Sequence, residues 1–194
     1  MDIRNHDNNL MEEGVYMDSV QLFKIDDGSP SNSSERDNED SILSEAIYTV
    51  FPLNTEDATM SWGDERIKLS YRYDLSSIID EMLQMVFTLY KYRYGEWAVD
   101  WPSNTFAANW HFRWDERSMQ VEAVWREEFQ ASDYLKSHPK LITERDLFLI
   151  EWEKVTDVLL NNLAACGYNR DNLADLGLLI EADVILKRLK QNRG

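Results

Sequence analysis

The sequence predicts an α+β domain: an antiparallel sheet of about five strands, one helix inserted early, and a C-terminal antiparallel helix pair. Three observations carry this. Short runs between residues 65 and 125 alternate apolar and polar side chains. Two long stretches after residue 143 repeat apolar residues at three- and four-residue spacing. The connections between the alternating runs are short and polar.

Taken in order, residues 1–14 read as frayed, and VYMDSVQLFKI (15–25) holds a short strand ended by Asp26-Asp27-Gly28, a turn signal. GSPSNSSERDNED (28–40) has no hydrophobic residue and reads as a loop or linker. Residues 1–40 therefore form an acidic, partly disordered segment, and 41–194 form a single domain. SILSEAIYTVFPL (41–53) suits a helical turn through Ile42, Leu43, Ala46 and Ile47, but IYTVF favours a strand at 46–51 stopped by Pro52.

ERIKLSYRY (65–73) alternates strictly, placing Ile67, Leu69, Tyr71 and Tyr73 on one strand face. Asp74 is positioned to cap a helix over 75–92, where Ile78, Ile79, Met82, Val86 and Leu89 share a face. GEWAVDW (95–101) follows as a strand. In NWHFRWDERSMQVEAVW (109–125), Asp115-Glu116-Arg117-Ser118 is a connection of hairpin length. Pairing Trp114 with Met119 then sets Phe112 opposite Val121 and Trp110 opposite Ala123, with His111 facing Glu122 and Arg113 facing Gln120 on the other side. Thr143 and Asp146 form a capping-box pattern for a helix ending at Gly167, and a second helix covers 171–190 with a basic end.

Charge narrows the function. The net charge of −16 divides into −13 over residues 1–65 (16 acidic, 3 basic) and −3 over 66–194 (20 acidic, 17 basic). Such a chain repels phosphate backbones, which argues against direct nucleic-acid binding. No apolar run approaches the ~18 residues of a membrane span. The polar N-terminus shows no secretory pattern, and the single cysteine, Cys166, suits a reducing compartment, so a cytoplasmic protein is expected.

Motifs for catalysis are missing from the sequence: no phosphate-cradling glycine loop, no nucleophile elbow, no H-E-x-x-H and no C-x-x-C. His6, His111 and His138 are far apart, and Cys166 reads as a small buried apolar side chain, so neither metal nor cofactor is predicted. His111 with Glu122 is the one pair that an enzyme of unfamiliar type could use, with Arg113 or Arg126 nearby. A cross-strand contact on a polar sheet face is the better explanation of the same pair.

Seven tryptophans are many for a chain of 194 residues. Trp97 and Trp101 share a strand face, and Trp62 lies in MSWGDE, a turn-like segment where an aromatic stays partly exposed. Aromatics rimmed by carboxylates have the makeup of binding hot spots. The arrangement SWGDERIKLSYRYD, a helix, GEWAVDW and then NWHFRW…MQVEAVW resembles, over roughly residues 60–126, the small acidic bacterial immunity proteins that neutralise polymorphic or contact-dependent toxins. The resemblance implies a cytosolic, non-catalytic inhibitor that binds a basic toxin domain. Its partner-binding residues are expected around the turns: Asp57, Asp64 and Glu65 beside Trp62, and Asp115 and Glu116 at the hairpin tip. A self-associating or adaptor subunit, using the helix pair over 143–190, is the other non-enzymatic expectation.

Overall fold

The computed structural model describes residues 21–33, 35–39 and 42–193. The expectations for residues 1–14, including His6, and for the first part of the 15–25 strand lie outside the described residues. The fold is α+β, with two antiparallel sheets in place of the single sheet of about five strands. One sheet has three strands in the order β1 (Phe23–Asp26), β2 (Ala58–Trp62), β3 (Glu65–Leu69). The other has four in the order β4 (Gly95–Pro102), β5 (Ala107–Trp114), β6 (Ser118–Trp125), β7 (Lys140–Glu144).

Two strands account for the difference. β2 buries Ala58, Met60 and Trp62 while Thr59 and Ser61 face the other way, which is the period-two pattern of a half-buried strand inside the segment read as a turn. β7 buries Leu141 and Thr143 beside β6. Thr143 is thus a strand residue and not a helix cap; α4 (Arg145–Ala165) begins directly after Glu144 without a side-chain cap.

Residues 46–51 are not a strand. α1 spans Leu43–Val50 and buries Leu43, Ala46, Ile47 and Val50, a helical face whose burial overrides the strand preference of IYTV. The strand at 65–73 stops at Leu69, since a π-helical turn, Tyr71–Leu75, leads straight into α2 (Ser76–Lys91). Ser70 caps this run by accepting from the Tyr73 N–H at 3.3 Å. Asp74, the expected cap, instead reaches back to accept from the Ser70 N–H at 2.7 Å. Tyr73 turns outward, away from the face shared by Ile67 and Leu69.

The hairpin of β5 and β6 has the expected register: Trp114 pairs with Met119, Phe112 with Val121, Trp110 with Ala123, His111 with Glu122 and Arg113 with Gln120. A short helix α3 (Asp133–Ser137) then leads to β7. The last two helices pack antiparallel: Asp157 of α4 meets Lys187 at 2.9 Å and Glu153 meets Lys190 at 2.7 Å, both on α5 (Leu176–Gln191). α4 ends at Gly167, whose φ of 88° is open to glycine, with Tyr168 N–H returning to the Leu163 carbonyl at 3.0 Å.

One continuous core joins these parts. Trp62 of the first sheet lies 5.5 Å from Trp110 and 5.4 Å from Trp125 of the second, ring centre to ring centre. α4 binds both sheets at once: Phe148 stacks 4.4 Å from Phe23 and 5.9 Å from Phe112, and Trp152 lies 6.2 Å from Trp101. The opposite face of the four-stranded sheet, carrying Glu96, Ala98, His111, Arg113 and Glu122, has no layer over it among the described residues and is largely open to solvent.

Candidate partner-binding surface

The six residues expected at a partner-binding site do not come together. Asp57 precedes β2 and Asp64-Glu65 follow it, so they occupy opposite ends of one strand. Asp64 N–H donates to the Tyr134 hydroxyl of α3 at 3.1 Å. Trp62 overturns the expectation of partial exposure: it is 1% exposed, with its indole N–H donating to the His138 carbonyl at 3.0 Å. Because the β2–β3 turn contains only Gly63 and Asp64, Trp62 is still in register in the strand and points into the core.

Asp115 and Glu116 are exposed at the β5–β6 tip. The Asp115 carboxylate accepts from the backbone N–H groups of Arg117 (2.9 Å) and Ser118 (2.8 Å), which holds it below the usual carboxylate range. Its first role is therefore to fix the turn. Glu116 projects freely enough to pair with Arg93 at 3.0 Å, and this pair links the tip to the segment entering β4.

That segment, YRYGEW (92–97), adds Tyr92 and Tyr94 to the Trp97 already singled out in the sequence. Tyr92 is 50% exposed, Tyr94 64% and Trp97 37%. They are held on a stiff support: the Trp114 indole N–H donates to the Tyr92 carbonyl at 2.9 Å, and the Trp114 ring lies against Gly95. A β-carbon at Gly95 would sit 2.5 Å from that ring, so glycine is required for this close approach. Arg113 bridges to Glu96 at 3.2 Å across the strand pair. Three exposed aromatics thus fall within one six-residue segment that the Arg93–Glu116 pair ties to the Asp115-Glu116 tip, with Trp97 on the sheet face of Val99 and Trp101 and the Glu96–Arg113 pair on the other. Its trace in the sequence is the alternation Tyr90-Lys91-Tyr92-Arg93-Tyr94, an aromatic run with no apolar neighbour to bury it.

His111 and Glu122 face each other as expected, on the open side of the four-stranded sheet. No hydrogen bond or ion pair connects His111 to an acid among the described residues, although His111 and Glu122 line the same depression with Glu96, Ala98, Arg113 and Gln120. Cys166 is buried and donates its thiol to the Ser33 carbonyl at 2.9 Å. Among the described residues no group of three metal-ligating side chains converges, and no helix is long and apolar enough to cross a membrane. No protein-family model matches the chain, and no curated protein or solved structure does so either.

Proposed function

We propose that the protein acts by binding another protein, as an immunity-type inhibitor that captures a basic toxin domain. The observation that carries this reading is the exposure of three aromatics, Tyr92, Tyr94 and Trp97, within one short segment that Arg93 ties to Glu116 of the Asp115-Glu116 tip. Rigid aromatics with a polar rim supply contact area at little entropic cost and dominate binding energies where they are centred. The charge of −16 adds the second half of the mechanism, since it steers a basic partner and raises the association rate.

The test is to look for a toxin-like domain among the products of the genes that flank its own, and to measure binding kinetics between the purified chain and that domain at low and high salt. Association slows with salt, and Tyr94→Ala with Trp97→Ala raises the dissociation rate by about tenfold or more, the scale of one hot-spot side chain. Glu116→Gln lowers the association rate without loosening the turn, because Asp115 and not Glu116 holds it. A salt-insensitive association rate, or unchanged affinity in the Tyr94/Trp97 double variant, overturns the proposal.

A further inference from the structure

Every antiparallel ladder leaves alternate backbone groups pointing away from its partner strand, so each sheet edge in this fold can be read residue by residue. On β1 the outward groups include those of Ile25, which α4 covers: the Ile25 N–H donates to Glu151 at 2.8 Å and its carbonyl accepts from Lys154 at 2.7 Å. On β7 the outward carbonyl of Ile142 accepts from the Gln21 N–H at 2.7 Å. On β3 the outward residues are Arg66 and Lys68, two exposed cations on a strand of five residues. Charged side chains of this kind guard a short edge against pairing.

β4 is longer than these three, and the charges at its outward positions, Glu96 and Asp100, are negative where those of β3 are positive. Arg126 N–H bonds the Ala107 carbonyl, which fixes Asn109, His111 and Arg113 as the β5 residues bonded to β6. Ala108, Trp110, Phe112 and Trp114 therefore bond β4, at Trp101, Val99, Trp97 and Gly95. The N–H and C=O groups of Glu96, Ala98 and Asp100 point outward, and none of them has a partner among the described residues. This is the long strand of an eight-residue edge, exposed at all three positions and flanked by the half-exposed Trp97 and Tyr94.

We propose that β4 is a docking edge to which an extended, basic segment of a partner protein adds as a fifth strand. The inference rests on the reading of the chain as a binder of a basic partner. Charge selects the occupant. A second copy can pair antiparallel with equal overlap about Val99, which sets Glu96 opposite Pro102 and so loses a ladder bond at each end because proline has no N–H, or about Ala98. The pairing about Ala98 sets Glu96 of each copy opposite Asp100 of the other, and like charges directly opposite oppose pairing. A strand with lysine or arginine at alternate positions meets the same two carboxylates favourably, while the cations of the β3 edge repel it. Arg113 pairs with Glu96 in a contact exposed on both sides, and Arg126, one-third exposed, pairs with Asp100, so a basic strand must displace both arginines to reach the two carboxylates.

The experiment follows amide exchange by NMR in the full chain, alone and with capped nine-residue peptides alternating threonine with lysine or with glutamate. Alone, the amides of Glu96, Ala98 and Asp100 exchange at least about a hundredfold faster than those of Trp97, Val99 and Trp101. The lysine peptide slows those three amides by about tenfold or more, and the glutamate peptide does not. Ala98→Pro removes an N–H that the β4–β5 ladder does not use, so the variant folds and loses the peptide effect. If the three amides are already slow in the free chain, the inference fails. Recovery of fast exchange on dilution then identifies a second copy on the edge, and recovery on removing residues 1–20 identifies the chain's own N-terminal segment. Lysine-peptide binding that leaves the three amides fast overturns strand addition. A toxin domain that binds Ala98→Pro as tightly as the unaltered chain removes the docking edge and leaves the proposed function standing. Peptide protection without any toxin binding does the reverse.

Discussion

At the scale of single residues, the tryptophans separate into those that satisfy their indole N–H and those that do not. Trp62 donates to the His138 carbonyl, while the Nε1 atoms of Trp101, Trp110 and Trp152 are buried with no hydrogen-bond partner and sit among aromatic rings. Trp62→Phe and Trp110→Phe remove the same atoms from equally buried sites, but only the first also strands a carbonyl. We expect Trp62→Phe to cost about 1 kcal/mol more than Trp110→Phe in urea unfolding, the net worth of one hydrogen bond. Equal losses would mean that the His138 carbonyl finds water. Asp74 offers a second residue-level test. Burial pushes its carboxyl above the usual range, helped by Asp57, while bonds from Ser103, Thr105 and the Ser70 N–H pull the other way. The folded chain thus holds this proton more readily than the unfolded chain does. Its contribution to stability is greatest below the ordinary carboxylate pKa, falls as pH rises toward the raised folded value, and is flat above it. Relative to Asp74→Asn, the unaltered chain should lose stability as pH rises through the acidic range. A difference that is constant with pH, or of the opposite slope, refutes the assignment.

At the scale of elements, α4 is the part that fastens the two sheets, and it does so with charged side chains as well as rings. Glu151 accepts from the Ile25 N–H and also from Lys154, whose ammonium bonds the Ile25 carbonyl. Glu151→Ala leaves a strand-edge N–H without an acceptor and should cost about 1–3 kcal/mol. Glu151→Gln keeps the acceptor and should recover most of that loss. If both variants lose the same stability, the salt bridge to Lys154 and not the capped strand is what matters. The same scale shows what could be read in advance. The β5–β6 register was legible to the residue because Trp110, Phe112 and Trp114 answer Met119, Val121 and Ala123 at a period of two, and a slip of one would expose them all. α2, α4 and α5 were legible from their apolar stripes. α1 was not, because Ile47, Thr49 and Val50 favour a strand locally and only packing of Leu43, Ala46, Ile47 and Val50 settles the helix. β2 was hidden by its length of five residues and by the turn signal beside Trp62, and β7 by a sequence that doubles as a helix start. The acidic hairpin tip was found from turn chemistry alone. Tyr92 and Tyr94 were not, because exposure of an aromatic depends on what fails to cover it, which no local pattern records.

At the scale of the whole molecule, charge acts in two opposed ways that one variable can separate. A chain at −16 repels itself, so the folded state is held together against a diffuse Coulomb penalty. Its ion pairs act in the other direction: Arg66–Asp26, Arg93–Glu116 and Arg113–Glu96 are exposed on both sides, and Lys187–Asp183 and Lys190–Glu153 bury the carboxylate but leave the lysine about half exposed. Exposed pairs contribute little, and salt screens them as it screens the repulsion. The excess of like charge therefore decides the sign: added sodium chloride should raise stability by about 1 kcal/mol, or ~2–4 °C in Tm for a chain of this size. The same salt should slow capture of a basic partner, because the field that strains the folded chain is the field that steers the encounter. Calorimetry and binding kinetics across one salt series thus move in opposite directions if the surplus of carboxylates serves recognition. A Tm that falls with salt would show that specific ion pairs, and not the net charge, govern the electrostatics of the fold.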